Sequence, residues 1–420
     1  MSQTKLTIDK DKFRINGKLT YSEIPTVKPQ MHGLLMNARF IQGVFDSKNR
    51  AQFHRYGKTF DPQQNTDALI AALPRWYEKG LRAITVGMQG GGACFTIPGE
   101  ELQNKPFSLD GTWIDPAYLK RLYRILEACD RLGMAVIVSY FYGFNAASLQ
   151  GAAAVIRIVE SMTRYLRDTG FANIVIEIAN EHNVSAFSSL PILHEPQGIV
   201  ALIHLAKQIA PNLAVGCSGA GGYLHREICQ ASDIVLIHGN GESRSQLYNH
   251  IRKAKEYAGE KPIVINEDSQ AIGQLQVCEE TCCSWGYYNN MTKQEPPVDW
   301  GITRGEDAFF AWRMADMLGI AQPEIAPEDQ YYFQGFEPQM HHHGIRFPRV
   351  ACLYPEKVNY VRFYQNGELV YTCYDESFTC GFRSNWKQDG FLTRDGDVWE
   401  AEIVLRDGKT LRLTQKVKNI

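Results

Sequence analysis

Two glutamates follow short apolar runs of the sequence, where a side chain is well placed for acid–base chemistry. Glu181 comes directly after NIVIEIAN (173–180), and Glu267 ends PIVINE (262–267). Two facing carboxylates can cleave a glycosidic bond, because a protonated one donates to the leaving oxygen while an ionised one attacks the anomeric carbon. A separation of about 5.5 Å gives retention of configuration, and like-charge repulsion helps keep the acid protonated. We therefore predict Glu181 and Glu267 as the catalytic pair.

Other polar and aromatic residues within or just after such runs are predicted to bind the substrate. Aromatic side chains offer flat faces to the apolar C–H faces of sugar rings. The predicted partner is accordingly an oligo- or polysaccharide, and neither a metal nor a cofactor is expected. The predicted substrate-binding set is Asn37, Arg39, Tyr140, Tyr142, Asn180, His182, His238, Asn240, Trp285 and Tyr287.

These residues belong to eight apolar runs that alternate with amphipathic stretches of helical period. Such alternation is typical of parallel β-sheets covered by helices. Eight units predict a closed (β/α)8 TIM barrel, whose active site lies at the C-terminal ends of the strands. The predicted strands are 32–40, 82–88, 134–141, 173–180, 213–219, 233–239, 262–267 and 284–289; the predicted helices are 65–79, 115–132, 150–169, 197–209, 223–230, 244–258, 270–282 and 305–318.

A doubly wound open sheet is the alternative α/β fold. It is disfavoured because no GxGxxG follows the first predicted strand. The glycines 90–92 also lack the lysine of a phosphate-binding loop.

The segments on either side of the barrel have a different pattern. Asn16-Gly17 lies between two β-prone runs and predicts an N-terminal β-hairpin. The tail alternates with period two and has turns at Asn366-Gly367 and Asp407-Gly408, which predicts a small C-terminal β-sandwich. The predicted domains are 1–30, 31–325 and 345–420. The sandwich either binds sugar or braces the barrel, and Trp386 and Tyr374 suit either a binding platform or its core.

The chain resembles the clan of retaining (β/α)8 glycoside hydrolases that includes family 5 cellulases and mannanases and the β-galactosidases. The resemblance covers about 31–320 and rests on Asn180-Glu181, Glu267, His238 and Trp285 at the ends of strands four, seven, six and eight. It implies that Glu181 is the general acid/base and Glu267 the nucleophile. It also implies that Asn180 binds the sugar 2-hydroxyl, that His238 lines the cleft near the nucleophile, and that Trp285 stacks on the sugar. His182 and Asn240 replace the proline and tyrosine found in many members, so the particular family stays open.

Several nearby residues have less direct interpretations. Glu177 shares the side-chain parity of Glu181 but lies deeper in the barrel, and Asp268 is predicted to cap a helix. A metal-dependent hydrolase would use His182 and His238 with the two glutamates, but no HxH ends the first strand. The triple histidine 341–343 suits a loop at the rim.

Composition excludes some classes of partner. The formal net charge is −2 without a basic stripe, which disfavours nucleic acid. No run approaches about 18 apolar residues, and the start lacks a signal-peptide core. We therefore expect a soluble protein, cytoplasmic as the chain stands and periplasmic or secreted if a signal was removed.

The cysteines and the longer loops carry weaker predictions. Cys278, Cys282 and Cys283 suit buried helix thiols better than a metal site, and Cys373 and Cys380 would pair only in an exported protein. The segments 89–114 and 290–304 are long enough to narrow the cleft into a pocket.

A non-catalytic carbohydrate-binding barrel is the alternative function.

Overall fold

The computed structural model describes residues 2–47, 59–91, 104–337, 340, 341 and 343–418. It begins with the antiparallel strands β1 Leu6–Asp9, β2 Lys12–Ile15 and β3 Lys18–Leu19. The turn from β2 to β3 is Asn16-Gly17, and both residues have positive φ, as this hairpin turn requires. The predicted N-terminal hairpin is thus confirmed, with one further strand paired to it.

Eight parallel strands follow and close into the predicted barrel. They are β4 Asn37–Arg39, β5 Ala83–Gly87, β6 Ala135–Tyr142, β7 Ile174–Asn180, β8 Ala214–Gly216, β9 Val235–His238, β10 Ile263–Glu267 and β11 Gly286–Tyr287. Six strands form one ladder in the order β11-β4-β5-β6-β7-β8, and β9 pairs with β10. Backbone hydrogen bonds from Asp233 N to Val215 O (2.8 Å) and from Ile265 N to Ser284 O (3.0 Å) join the two ladders at both sides. This closure rules out the open sheet.

Helices cover the outside of the barrel close to the predicted positions. The long α2 begins after Asp115, whose side chain accepts a hydrogen bond from Ala117 N, and it ends at Gly133 in the left-handed conformation. The helices are α1 Pro62–Glu78, α2 Pro116–Leu132, α3 Gly143–Ala146, α4 Gly151–Asp168, α5 Pro191–His194, α6 Pro196–Ile209, α7 Arg226–Ala231, α8 Arg244–Ala258, α9 Gln274–Thr281, α10 Asn290–Lys293 and α11 Glu306–Met317. None of the helices in the described part of the chain is both long and apolar enough to cross a membrane.

The barrel has an inner and an outer apolar layer because side chains alternate along each strand. On β6, Ala135 and Ile137 pack inside the barrel, whereas Val136 and Val138 pack against the helices. Phe13 of β2 is fully buried in the inner layer. The N-terminal hairpin therefore plugs the end of the barrel opposite the C-terminal strand ends.

Antiparallel sheets make up the C-terminal part. The strands are β12 Tyr331–Gln334, β13 Ile345–Arg346, β14 Arg349–Cys352, β15 Val358–Gln365, β16 Glu368–Cys373, β17 Phe382–Ser384, β18 Lys387–Gln388, β19 Phe391–Leu392, β20 Val398–Leu405 and β21 Thr410–Lys416. The sheet β16-β15-β20-β21 packs against β12-β14 through a core that includes Phe333, Phe363 and Trp399. This is the predicted β-sandwich, while the predicted domain boundaries stay a prediction.

Three ion pairs between described residues join the sandwich to the barrel, and one of them links Arg313 Nη1 of α11 to Glu356 Oε2 at 3.1 Å. Arg349 Nη2 of β14 lies 2.7 Å from Glu306 Oε2 of α11, and both side chains are buried. Arg244 Nη2 of α8 lies 2.7 Å from Glu376 Oε2, in the segment between β16 and β17. Glu376 also accepts a hydrogen bond from Gly273 N. The sandwich is thus fixed over the C-terminal end of the barrel.

The described cysteines are free thiols. Cys278 and Cys283 are buried, and Cys282 is partly exposed. Cys373 and Cys380 are buried and unpaired, so the conditional disulfide between them is not formed.

The triple histidine is described only in part, because His342 lies outside the described residues. His341 Nδ1 accepts a hydrogen bond from Gly344 N at 3.2 Å. This contact lies in the loop before β13, as the loop interpretation of the histidines predicts.

Replacing Arg349 with leucine leaves the buried Glu306 carboxylate without its charged partner and with the hydrogen bond from Asn289 Nδ2. Breaking a buried pair from one side costs about 3 kcal/mol. We expect Arg349→Leu to lower the free energy of unfolding by that amount in a urea titration followed by tryptophan fluorescence. Arg383→Leu is the control, because its pair with Asp389 is exposed and its loss should leave the midpoint unchanged. Equal stability of Arg349→Leu and the wild type would contradict the prediction.

Candidate active site

A cavity of about 400 Å³ opens at the C-terminal ends of the barrel strands. In a (β/α)8 barrel this end carries the active site. Strand ends, the loops that follow them and one residue of the sandwich form its walls. The lining residues are Arg39, Gly91, Tyr142, Asn180, Glu181, Val184, Ala220, Gly221, Asn240, Glu267, Tyr288, Asn290, Gln294 and Trp386.

The structure brings Glu181 and Glu267 together in this cavity. One carboxylate oxygen of each, together with a ring nitrogen of His238, lies within 4.8 Å of the others. Glu181 follows β7 and Glu267 ends β10, so the closed barrel is what places them face to face. A reacting atom between them would be in reach of both carboxylates.

The backbone of Glu181 has an unusual conformation. Its φ of 53° lies in the left-handed region, which costs a non-glycine residue about 1 kcal/mol or more. Hydrogen bonds to the segment after β8 hold it there, from Glu181 N to Ser218 Oγ (3.2 Å) and from His182 N to Ser218 O (3.1 Å). The chain therefore turns sharply at the position predicted to be the acid/base.

Glu267 is held by two neighbours. Arg39 Nε lies 2.5 Å from its Oε2, and Asn240 Nδ2 donates to its Oε1 at 2.8 Å. Arg39 also donates to Asn180 Oδ1 through Nη2. Charge-assisted hydrogen bonds of this kind fix a carboxylate in one orientation. Glu267 thus presents a defined oxygen to the cavity.

His238 connects the two carboxylates electrostatically. Its Nδ1 lies 3.0 Å from Glu181 Oε1 and 3.8 Å from Glu267 Oε2. Burial raises the pKa of Glu267, against the opposing charges of Arg39 and His238. Burial also disfavours ionised Glu181, but the hydrogen bond and charge of His238 outweigh it and lower the pKa of Glu181.

The same contacts act on the histidine. Burial disfavours the imidazolium, but Glu267 and Glu181 outweigh this effect and raise the pKa of His238. The imidazolium of His238 and ionised Glu181 therefore favour each other, contrary to the expectation that repulsion between the glutamates keeps Glu181 protonated. Groups this close titrate as one unit.

A bulge in β10 between Ile265 and Glu267 sets the depth of the site. Asn266 reaches into the barrel and donates to Glu177 Oε1 at 2.9 Å. Glu177 is fully buried and does not line the cavity, as expected from its deeper position. It therefore supports the floor of the site.

Trp285 does not line the cavity, which corrects its predicted stacking position. Its indole is fully buried, and Nε1 donates to Asp268 Oδ2 at 2.7 Å. Asp268 is not the predicted helix cap either, because α9 begins six residues later, after Gly273. The two side chains satisfy each other beneath the cleft.

Tyr140 and Tyr287 also lie outside the cavity. The Tyr140 hydroxyl is 3.1 Å from Thr163 Oγ1 of α4, and Tyr140 shares the outward parity of Val138. Tyr287 donates to Asp307 at 2.8 Å. Both rings therefore pack between the barrel and its helices.

Asn37 and His182 are two further predicted site residues that do not line the cavity. Asn37 is fully buried, and its Nδ2 donates to Leu35 O and Ile265 O between strands β4 and β10. The His182 ring lies 3.0 Å from His194 O, and burial lowers its pKa to about 4. These two side chains brace the strand ends.

The other predicted site residues line the cavity or lie next to a residue that lines it. Those that line it, besides the two glutamates, are Arg39, Tyr142, Asn180 and Asn240. His238 is not among the lining residues, but it contacts both glutamates from behind them.

Tyr288, Asn290, Gln294 and Trp386 line the cavity without having been placed in the site. The first three lie at the end of β11 and in 290–304, the segment predicted to narrow the cleft. A Cβ at Gly91 would lie 3.3 Å from Gln294 Nε2 and 3.4 Å from the Tyr288 hydroxyl, so the second-strand loop closely approaches this wall. Trp386 is far away in sequence, and no local pattern could have placed it here.

No family model and no curated protein matches the chain. Among solved structures, it is similar to a β-mannanase from the blue mussel Mytilus edulis, with 11% identity and a TM-score of 0.49 over 75% of this chain and 97% of that chain. It is also similar to an FMN-binding β-glucuronidase from Facaelibacterium prausnitzii L2-6, with 14% identity and a TM-score of 0.44 over 99% of this chain and 59% of that chain. A putative β-galactosidase from Bacteroides fragilis has 12% identity and a TM-score of 0.45 over 99% of this chain and 58% of that chain. The chain therefore spans little more than half the length of the last two.

Replacing His238 with asparagine removes both the charge and the hydrogen bond that favour ionised Glu181. We expect the pKa of Glu181 to rise in His238→Asn. A carboxyl ¹³C NMR titration measures it, with the Glu181 signal assigned from its loss in Glu181→Gln. His204→Asn on the exposed face of α6 should leave the titration unchanged. An unchanged or lower Glu181 pKa in His238→Asn would show that His238 does not set its ionisation.

Proposed function

We propose that this protein is a glycoside hydrolase that cleaves a β-glycosidic bond with retention of configuration. The observation that carries the proposal is the approach of Glu181 and Glu267 oxygens to within 4.8 Å. Retaining pairs have carboxyl groups about 5–5.5 Å apart, whereas inverting pairs are about 6.5–9.5 Å apart to admit a water molecule. The short approach favours direct attack by one carboxylate.

In the first step, ionised Glu267 attacks the anomeric carbon and forms a glycosyl ester, while Glu181 protonates the departing oxygen. Arg39 and Asn240 hold Glu267 for the attack. His238 Nδ1 lies 3.0 Å from Glu181 Oε1 and is therefore placed to pass to Glu181 the proton that the departing oxygen receives. Asn180, whose Oδ1 accepts from Arg39, keeps its Nδ2 for a sugar hydroxyl.

In the second step, Glu181 takes a proton from water, and the resulting hydroxide attacks the anomeric carbon and releases Glu267. The contact with His238 suits this step, because it favours the ionised form of Glu181 that acts as base. A cavity of about 400 Å³ is the size of a small-molecule site. A site of that volume suits the end of a short oligosaccharide better than several sugar units.

A metal-dependent hydrolase is a second candidate, because Glu181, His238 and Glu267 offer three ligand atoms close together. The guanidinium of Arg39 argues against it, since it lies 2.5 Å from the Glu267 carboxylate and would repel a cation there. His182 also lies apart from this trio. Loss of hydrolysis in EDTA and its return with Zn²⁺ would favour the metal.

Glu267→Gln keeps the shape of the nucleophile but removes its charge. We expect kcat on aryl β-glycosides to fall by at least about 10⁴-fold, the scale on which loss of a main catalytic group acts, with thermal unfolding nearly unchanged. Glu227→Gln on the exposed face of α7 is the matched control and should keep full activity. Wild-type turnover by Glu267→Gln would remove Glu267 from the nucleophile role, whereas absence of turnover by the wild type on every glycoside tested would favour a non-catalytic binding barrel.

The anomeric configuration of the first product tests retention. Proton NMR during hydrolysis of a β-glycoside should show the β-hemiacetal before mutarotation, because two displacements at the anomeric carbon restore its configuration. The uncatalysed mutarotation rate under the same conditions is the control. First appearance of the α-hemiacetal would mean inversion, with a water between the two carboxylates.

A further inference from the structure

The cavity has two halves of different chemistry. The polar half contains Arg39, Tyr288, Asn290 and Gln294, which come from the first and eighth strands and the segments after them. The apolar half contains Val184, Ala220, Gly221 and Trp386, which come from the loops after the fourth and fifth strands and from the sandwich. In the strand order of the barrel, the polar half lies next to Glu267 of β10, and the loops of the apolar half lie at and next to Glu181, which follows β7.

Trp386 occupies the turn between β17 and β18 and is 37% exposed. Its neighbour Asn385 accepts a hydrogen bond from Gly241 N at 2.5 Å and donates to Glu242 O at 3.2 Å. A Cβ at Gly241 would lie 3.7 Å from Trp386 Nε1. The turn that carries Trp386 is thus anchored to the loop after β9, directly beside the cavity.

The sandwich that carries Trp386 is itself fixed on the barrel by Glu306–Arg349 and Arg244–Glu376. A partly exposed indole on an anchored turn can stack on a sugar or aryl ring without the cost of ordering the segment that carries it. Trp285, predicted for such stacking, is buried beneath the cleft.

The side of the cavity on which Trp386 lies indicates which ring of the substrate it contacts. Glu181 must reach the leaving oxygen, so the leaving group lies on the side of Glu181 and the loops after strands four and five. The sugar attacked by Glu267 then occupies the polar half, where amides can bind its hydroxyls. Resting on the proposed function, we propose that Trp386 forms the leaving-group subsite and selects substrates with a sugar or aryl ring at that position.

Two substrates that carry the same sugar distinguish a role of Trp386 in the leaving-group subsite from a general loss of activity. A 4-nitrophenyl β-glycoside places a ring in the leaving-group subsite, whereas the matching β-glycosyl fluoride leaves it empty. We expect Trp386→Ala to lower kcat/KM for the aryl glycoside about tenfold, as expected for a lost stacking contact, and to leave the fluoride unchanged. Trp386→Phe should restore most of the loss. Trp113→Ala, which removes an exposed indole outside the cavity lining, is the matched control.

Each of the other kinetic outcomes would refute a specific claim. Equal losses for the fluoride and the aryl glycoside would place Trp386 against the attacked sugar or make it a structural residue. Unchanged kinetics on both substrates with an active wild type would refute only the subsite. A wild type that hydrolyses neither class of substrate, for any sugar tested, would refute the proposed function and the leaving-group assignment with it.

Discussion

The buried contact between Arg39 and Glu267 is the interaction on which the arrangement of the cleft depends. Both side chains are almost inaccessible to water, and removing two charges from water costs several kcal/mol for each ion. The contact brings together the ends of β4 and β10, and Arg39 also reaches Asn180 at the end of β7. Only a closed barrel places these three strand ends around one space. Because burying this ion pair costs free energy, a role in the site explains its presence better than a contribution to stability does.

His238 couples the ionisation of the two glutamates. A residue that is acid in one step and base in the next needs a proton that is held nearby and easily moved. The imidazole lies between the two glutamates and favours ionised Glu181, while burial disfavours ionised Glu267. The protonation states of all three groups therefore depend on one another, and covalent attachment of a sugar to Glu267 would change the balance at Glu181.

The periodicity of the sequence was sufficient to predict the elements. All eight predicted barrel strands and their eight helices are confirmed, with boundaries that differ by a few residues, because burial on both faces of a strand and on one face of a helix leaves a local pattern. The hairpin at Asn16-Gly17 and the sandwich turn at Asn366-Gly367 follow from the same local chemistry, since glycine and asparagine accept positive φ. Short helices such as α5 and α10 lacked enough residues to show a period.

The sequence by itself determined which strand ends carry Arg39, Glu181, His238 and Glu267, because polar residues that end apolar runs must meet at one end of a barrel. Only the tertiary structure decided which neighbouring side chains enter the cleft. Strand parity turns Tyr140 outward, a partner in Asp268 keeps Trp285 beneath the floor, and the bulge in β10 sets the depth of Asn266. Trp386 reaches the cavity through the docking of a separate sheet, and contacts between such distant segments leave no pattern in the local sequence.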